Sequence, residues 1–244
     1  MSGAALTTVG LGVRYGSTVA LADVCCSIGW GELVGVVGPN GAGKSSLFRA
    51  VCGLVPHDGT VEVAGAHCHH QRDRASAGFI PQRSDIDPDF PISLAELVMT
   101  GRRRFRRGWQ RPTSVDRAAA ADAIERVGLS GREDASIGAL SGGQLQRGML
   151  ARALAQGADL LLLDEALSGV DAPTTADMFD LFAELTEAGT TILVATHDLA
   201  LARRRFARCL GINGGLVADG SPAVVLDGDS LESIFGSRPI DFSR

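Results

Sequence analysis

The chain has 244 residues, 23 Lys and Arg against 28 Asp and Glu, and a formal charge of -5 at pH 7; it offers no global positive field to a nucleic acid or an anionic membrane, so any basic contact must be local. Its five cysteines (Cys25, Cys26, Cys52, Cys68, Cys209) are odd in number and scattered, which argues against a disulfide framework. The first residues show neither a basic n-region nor a continuous apolar h-region, and no stretch reaches about 18 apolar residues, so the expectation is a soluble cytoplasmic chain with one α/β domain over 1–244.

From 6 to 37 the apolar residues alternate or run in short β-rich bursts (LTTVGLGV, TVALADVCCSI, ELVGVVG) separated by glycine-containing turns, and these are predicted strands. GPNGAGKSS at 38–46 then fits G-x-x-x-x-G-K-[ST], between the strand ELVGVV and a helix that begins near Gly43 with Leu47, Val51 and Leu54 at helical spacing. Gly38, Pro39, Asn40, Gly41, Ala42 and Gly43 form a loop whose glycines let backbone N–H groups converge on phosphate oxygens, and the helix N-terminus, with Ser46 in its first turn, adds positive potential. Lys44 supplies a point charge to the outer phosphates and Ser45 a hydroxyl for Mg²⁺. Lys44 is also the only lysine of the chain, which otherwise uses arginine. A compact ammonium is what such a site demands.

GTVEVAG and AGFIPQ return to strand character. Between them lies AHCHH at 66–70, where His67, Cys68, His69 and His70 raise the question of a metal. Four adjacent residues cannot all point at one ion without unusual backbone geometry, so the expectation is a polar connection, with a weak regulatory zinc site as the sharper hypothesis. From 83 to 157 the pattern turns helical (SLAELVMTG, SVDRAAAADAIERVG, GQLQRGMLARALAQG), the mark of an inserted helical subdomain between core segments 1–82 and 158–244. Within it, Leu140, Ser141, Gly142, Gly143 and Gln144 open a helix and make a second anion site from a serine hydroxyl and free N–H groups. The runs RRRFRR at 102–107 and RRRFAR at 203–208 are expected on solvated surface.

After 158, DLLLLDE and TTILVAT are continuous apolar runs of the kind buried in a parallel sheet, separated by the helix-like TTADMFDLFAELTEAG. Asp164 ends the first of these strands, where it could hold Mg²⁺ beside the phosphate loop, and Glu165 is placed as the general base for an attacking water. Residues 222–244 are expected to form a small helical or irregular tail. A guanine-specific enzyme would need a second lysine in an Asn-Lys-x-Asp base reader, and a small-molecule kinase would leave LSGGQ unexplained. Two phosphate-binding helix ends with one lysine and one acid pair suggest that the second end serves the nucleotide of another copy.

LSGGQ at 140–144 matches the signature of ABC-type ATPases, and the resemblance covers essentially the whole chain. Other motifs follow in order. Tyr15 resembles the aromatic that stacks on adenine, Gln82 in FIPQR the Q-loop glutamine and a further Mg²⁺ contact, Ser168, Gly169, Val170 and Asp171 the D-loop, and His197 in ATHD the switch histidine. Ala166 departs from a pattern in which proline often follows the glutamate, a change expected to alter loop stiffness and no functional group. The resemblance implies a P-loop ABC ATPase fold, with a RecA-like core, an antiparallel β subdomain and an inserted helical subdomain. It also implies a head-to-tail homodimer with ATP between the P-loop of one copy and the signature of the other. Glu165 would polarise water, His197 would contact the γ-phosphate, and Gln82 would relay that contact to the helical insert.

A single cassette implies the ATP-binding subunit of a transporter with a separate integral membrane permease, held at the inner face of the cell membrane. A cassette working in DNA repair or translation is the alternative of a different class, but such proteins usually carry tandem cassettes, long coiled-coil insertions or basic faces. FIPQRSDIDPDFPISLAELVMTGR at 79–102 and SGVDAPT at 168–174 resemble the metal-uptake branch, which works with an extracytoplasmic metal-binding protein. Zinc is the first expected cargo, manganese the second, and another solute such as chelated iron the alternative.

Overall fold

The computed structural model describes residues 3–67, 77–82, 86–87, 89–105 and 110–236. Two sheets stand among them. The smaller is antiparallel and joins β1 (Leu6–Tyr15), β2 (Thr18–Ile28), β4 (Asp58–Val63) and the two-residue β5 (Ala66–His67) in the order β2-β1-β4-β5. The larger contains β3 (Leu33–Val37), β6 (Ala77–Ile80), β7 (Leu160–Asp164), β8 (Thr191–Thr196), β9 (Arg208–Ile212) and β10 (Leu216–Gly220), in the order β10-β9-β3-β8-β7-β6. Its pairs are parallel except for the antiparallel hairpin of β9 with β10.

The continuous apolar runs are explained by where their alternate residues go. Leu160 and Leu162 of β7 enter the core shared with the small sheet, whereas Leu161 and Leu163 enter the core on the opposite face, and all four are fully buried. The same alternation sends Leu193 of β8 to the first core and Ile192 and Val194 to the second. A strand sandwiched on both faces has no polar side, hence the loss of the two-residue alternation in the sequence. Each such leucine contributes about 1.5–3 kcal/mol on burial.

Helix α1 (Lys44–Val51) lies between the sheets and buries Leu47, Phe48 and Val51 in the first core. It ends at Val51, not at the predicted Leu54, because a turn with Gly53 at φ 58 follows; Leu54 is left 52% exposed. The second core is covered by α2 (Leu94–Thr100), α3 (Ser114–Arg126), α4 (Gly142–Ala155) and α5 (Ala172–Glu187). Gly148 of α4 permits close approach to α2, since a Cβ there would stand 2.8 Å from Leu94 Cδ1. Helix α6 (Leu199–Arg205) follows β8, and α7 (Pro222–Val225) and α8 (Gly228–Phe235) form the helical tail that packs on β9 and β10. No disulfide joins the described cysteines, and no described helix is long and apolar enough to cross a membrane.

The arginine runs lie on the surface as expected, with Arg103, Phe105, Arg203, Arg204 and Arg205 exposed, but several of their side chains also make defined contacts. Arg203 donates to Leu226 O at 2.9 Å, Arg205 lies over the Phe179 ring, and Arg208 holds both Glu32 (3.0 Å) and Asp219 (2.8 Å), so the second run, though exposed at Arg203, Arg204 and Arg205, also fastens α6 and β9 to their neighbours. In the first, Arg102 donates to Asp116 at 3.1 Å and to Ala155 O at 2.9 Å, joining the start of α3 to the end of α4. Arg106 and Arg107 lie outside the described residues.

Asp116 shows what this join requires. Its carboxylate accepts from Thr113 N and Oγ1 in a capping box and from Arg102, and these donors, the backbone one first, hold its pKa at about 2. A folded-state value below the unfolded one of about 3.9 gives stability that is present above about pH 4 and lost as pH falls towards about 2. The melting temperature of Asp116→Asn should therefore lie below that of the unmodified protein near neutrality, with the difference closing between about pH 4 and pH 2. A difference that persists unchanged at about pH 2 would contradict this.

Candidate functional site

Three neighbouring parallel strands end on one edge. Val37 of β3 pairs with Thr196 of β8, and Ala195 of β8 pairs with Asp164 of β7, so the phosphate loop, His197 and Glu165 all begin within one residue of the same row. In the loop, Gly41 and Gly43 have φ 81 and 102, conformations that side chains adopt only under strain. Helix α1 has Gly43 as its N-cap with no side-chain cap, whereas α2 to α6 are capped by Ser93, Thr113, Ser141, Asp171 and Asp198. The first-turn N–H groups of α1 are thus open to an anion.

Lys44 is nearly buried and its ammonium is held in place by Gly38 O at 2.8 Å and Pro39 O at 3.0 Å. Its Nζ is also 3.4 Å from Glu165 Oε1, and the other oxygen of Glu165 is 3.5 Å from His197 Nδ1. Glu165 itself has φ 48, a conformation costly for a residue with a Cβ. That geometry turns its carboxylate back over the loop; strain of this kind is characteristic of functional positions. Ala20, the loop residues Asn40 to Ser46, Gln82 and Glu165 line a cleft of about 260 Å³. A larger hollow of about 770 Å³ opens on the other side of Glu165, walled by Ser168, Gly169, Val170, His197 and Arg204.

Asp164 is 3% exposed, burial pushes its pKa up, and the Ser45 hydroxyl hydrogen-bonds its carboxylate. Its Oδ1 is buried without a hydrogen-bond partner. A buried carboxylate oxygen lacking a donor, beside a serine hydroxyl and a phosphate cleft, fits a hard divalent cation such as Mg²⁺. Tyr15 ends β1 at 45% exposure, on the hairpin whose second strand brings Ala20 into the cleft.

Ser141 caps α4, accepting from Gln144 N at 3.2 Å, while Gln144 Oε1 accepts from Ser141 N at 2.9 Å. Leu140 is buried and Ser141 exposed. Among the described residues, no hydrogen bond, ion pair or shared cleft joins this helix end to the phosphate loop. Asp171 caps α5, accepting from Thr174 N and Oγ1 at 2.9 Å each, which holds its pKa down. Ser168 N donates to Glu165 O at 3.0 Å, so the loop from 168 to 171 is tied to the glutamate backbone.

His67 is exposed and 3.2 Å from Glu62, while Cys68, His69 and His70 lie outside the described residues. No group of three metal-ligating side chains occurs among the described residues. Sequence reasoning missed the support under the phosphate loop. Gly214 N donates to Ala42 O at 2.8 Å, Gly38 abuts Ile212 O so closely that a Cβ has no room, and Ala22 N donates to Gly214 O at 2.8 Å. The turn Asn213-Gly214-Gly215 between two apolar runs was the available signal for this hairpin.

The glycines separate two costs. A Cβ at Gly41 meets open space, so Gly41→Ala carries the backbone cost alone, about 1–2 kcal/mol. At Gly43 the Cβ would stand 2.6 Å from Ala20 O and 2.5 Å from Leu21 Cδ2. Gly43→Ala should therefore cost more stability than Gly41→Ala in urea unfolding and should lose ATP binding in a fluorescent-nucleotide titration. Equal losses for the two variants would contradict this geometry.

The ABC transporter family model matches residues 21–168. The chain is 37% identical over 233 residues to the manganese transport system ATP-binding protein MntA of Synechocystis sp., covering 95% of this chain and 90% of that protein. It is 39% identical over 230 residues to the zinc transport system ATP-binding protein TroB of Treponema pallidum, covering 93% and 85%. A solved nucleotide-free ATP-binding cassette from an ABC transporter superposes with a TM-score of 0.84 over 96% of this chain and 100% of that one, at 24% identity.

Proposed function

The chain belongs to the ABC transporter family as an ATP-hydrolysing subunit that energises transport, and on that premise we propose that it drives the import of a transition metal ion, manganese or zinc, through a separate membrane permease. The Synechocystis and Treponema relatives, which cover most of this chain, are named for manganese and zinc, which supports the cargo class. The observation that carries the chemistry is Glu165, set between Lys44 and His197 at the edge where the phosphate loop begins.

ATP enters the cleft with its phosphates on the open N-terminus of α1, its outer phosphates on Lys44 and its adenine against Tyr15. Lys44 is held by two carbonyls and Glu165, and a γ-phosphate would compete with the carboxylate for its ammonium. Glu165 then accepts a proton from the attacking water as its oxygen bonds to the γ-phosphorus, and the bond to the ADP oxygen breaks. His197 holds the γ-phosphate and Gln82 senses it from the cleft wall. Mg²⁺, when bound, would be held by Ser45 and Asp164 with Gln82 alongside, and would neutralise phosphate charge.

One chain closes only half of this site. The exposed, capped end of α4, with Ser141, Gly142 and Gly143, supplies the second set of donors to the ATP of another copy, and the two copies meet head to tail. Permease contact falls to an apolar groove of about 550 Å³ between the end of α1, β6 and α2. Leu54 and Phe90, 52% and 53% exposed, stand on its wall. Such a contact would hold the subunit at the cytoplasmic face of the membrane, with an extracytoplasmic binding protein delivering the metal.

Whole-cell metal content by mass spectrometry, in a strain lacking this protein and grown under metal limitation, tests the proposal. A selective fall in manganese or zinc, restored by the intact chain but not by Glu165→Gln, is expected. Unchanged metals would overturn the cargo and leave the ATPase chemistry to another solute.

A further inference from the structure

Arg147 lies on α4, six residues beyond Ser141, and its Nη2 is 2.7 Å from Asp177 Oδ2 on α5. The two helices also touch at their first turns, where a Cβ on Gly143 would stand 2.8 Å from Thr174 Cγ2. Thr174 is the residue whose N–H and hydroxyl Asp171 accepts. From Asp171 the chain runs back through the loop to Ser168, whose N–H holds Glu165 O at 3.0 Å. The charge of Arg147 also reaches Asp171, where it contributes to holding that carboxyl down. A continuous path of packed and hydrogen-bonded groups thus leads from the signature end of α4 to the backbone of the glutamate in the same chain.

We propose that Arg147 and Asp177 are positioning residues which lock α4 to α5, so that engagement of the signature by the nucleotide of one copy sets the D-loop and Glu165 that act on the nucleotide of the other. The inference rests on the head-to-tail dimer proposed above. The pair is suited to this role because it is a surface link, with Arg147 21% and Asp177 65% exposed. An ion pair so exposed adds little to global stability. It does restrict how one helix slides on the other, and coupling between sites depends on such restriction.

The test uses the full chain with four variants: Arg147→Ala, Arg147→Asp, Asp177→Arg and the double charge reversal. Each single variant should keep its melting temperature and its affinity for a fluorescent ATP analogue. Its kcat should fall roughly three- to thirty-fold, with a lower Hill coefficient for ATP. The double reversal should recover most of kcat and of the Hill coefficient. Unchanged kcat in Arg147→Ala, or a double reversal no better than the single ones, would overturn the proposal. Parallel loss of melting temperature and nucleotide affinity would also overturn it, because that is the mark of a purely structural pair. A Glu165→Gln chain assayed beside them by light scattering with ATP and Mg²⁺ separates the two ideas. If it stays monomeric the dimer reading fails, whereas a dimer with kinetically silent Arg147 variants refutes only the coupling.

Discussion

Parallel hydrogen bonding of β3, β8 and β7 brings Val37, Thr196 and Asp164 to one sheet edge, and at that edge Lys44, Glu165 and His197 come together. The strands that make it are buried on both faces, which is why their register cannot slip without moving leucines out of two cores at once. Position is the main resource of phosphoryl transfer, since the reaction needs aligned charge more than covalent chemistry. A rigid edge supplies that alignment before any ligand arrives. The left-handed backbone at Glu165 and the close-packed Gly38 and Gly43 are local costs carried by the two cores around them.

On the reading proposed above, the same edge forms one half of an ATP site. It provides an open helix end, a buried ammonium, an unsatisfied carboxylate oxygen and the Glu165 carboxylate, which is proposed above as the base. The helix end proposed to supply the other donors belongs to α4, which packs on the opposite core and turns Ser141 outward. In the proposed head-to-tail pair a second copy would bring such an end against the ATP and would make hydrolysis conditional on assembly. That condition is what a transport motor needs, because hydrolysis uncoupled from the permease would be wasted.

Much of this was legible in the sequence because the signals were both local and chemical. GPNGAGKSS between a strand and a helix, the acid pair after four leucines, and LSGGQ before a helical pattern each carry their own structural context. Most strands and helices up to β8 fell where periodicity placed them. The region after β8 was less readable. Arg203, Arg205 and Arg208 suggested surface, which they occupy, but not that their long side chains also reach carbonyls, a ring and two carboxylates from elements distant in sequence. Their partners Leu226, Phe179, Glu32 and Asp219 could not be inferred from periodicity. The β9–β10 hairpin was marked by Asn213-Gly214-Gly215, but its use as a floor for the phosphate loop is a tertiary fact. Leu54 continued a helical spacing that a glycine turn had already ended.

The most direct measurement of the central claim, that each ATP site is shared by two copies, is ATP turnover in a mixture of two inactive variants. Lys44→Ala removes the phosphate charge from one copy, and Ser141→Arg blocks the signature of the other. In a head-to-tail dimer of the two, one site receives both lesions and the other receives none, so turnover should reappear on mixing although neither variant turns over alone. If each chain worked through its own P-loop and signature, every site in the mixture would be damaged, and a mixture as silent as its components would contradict the account.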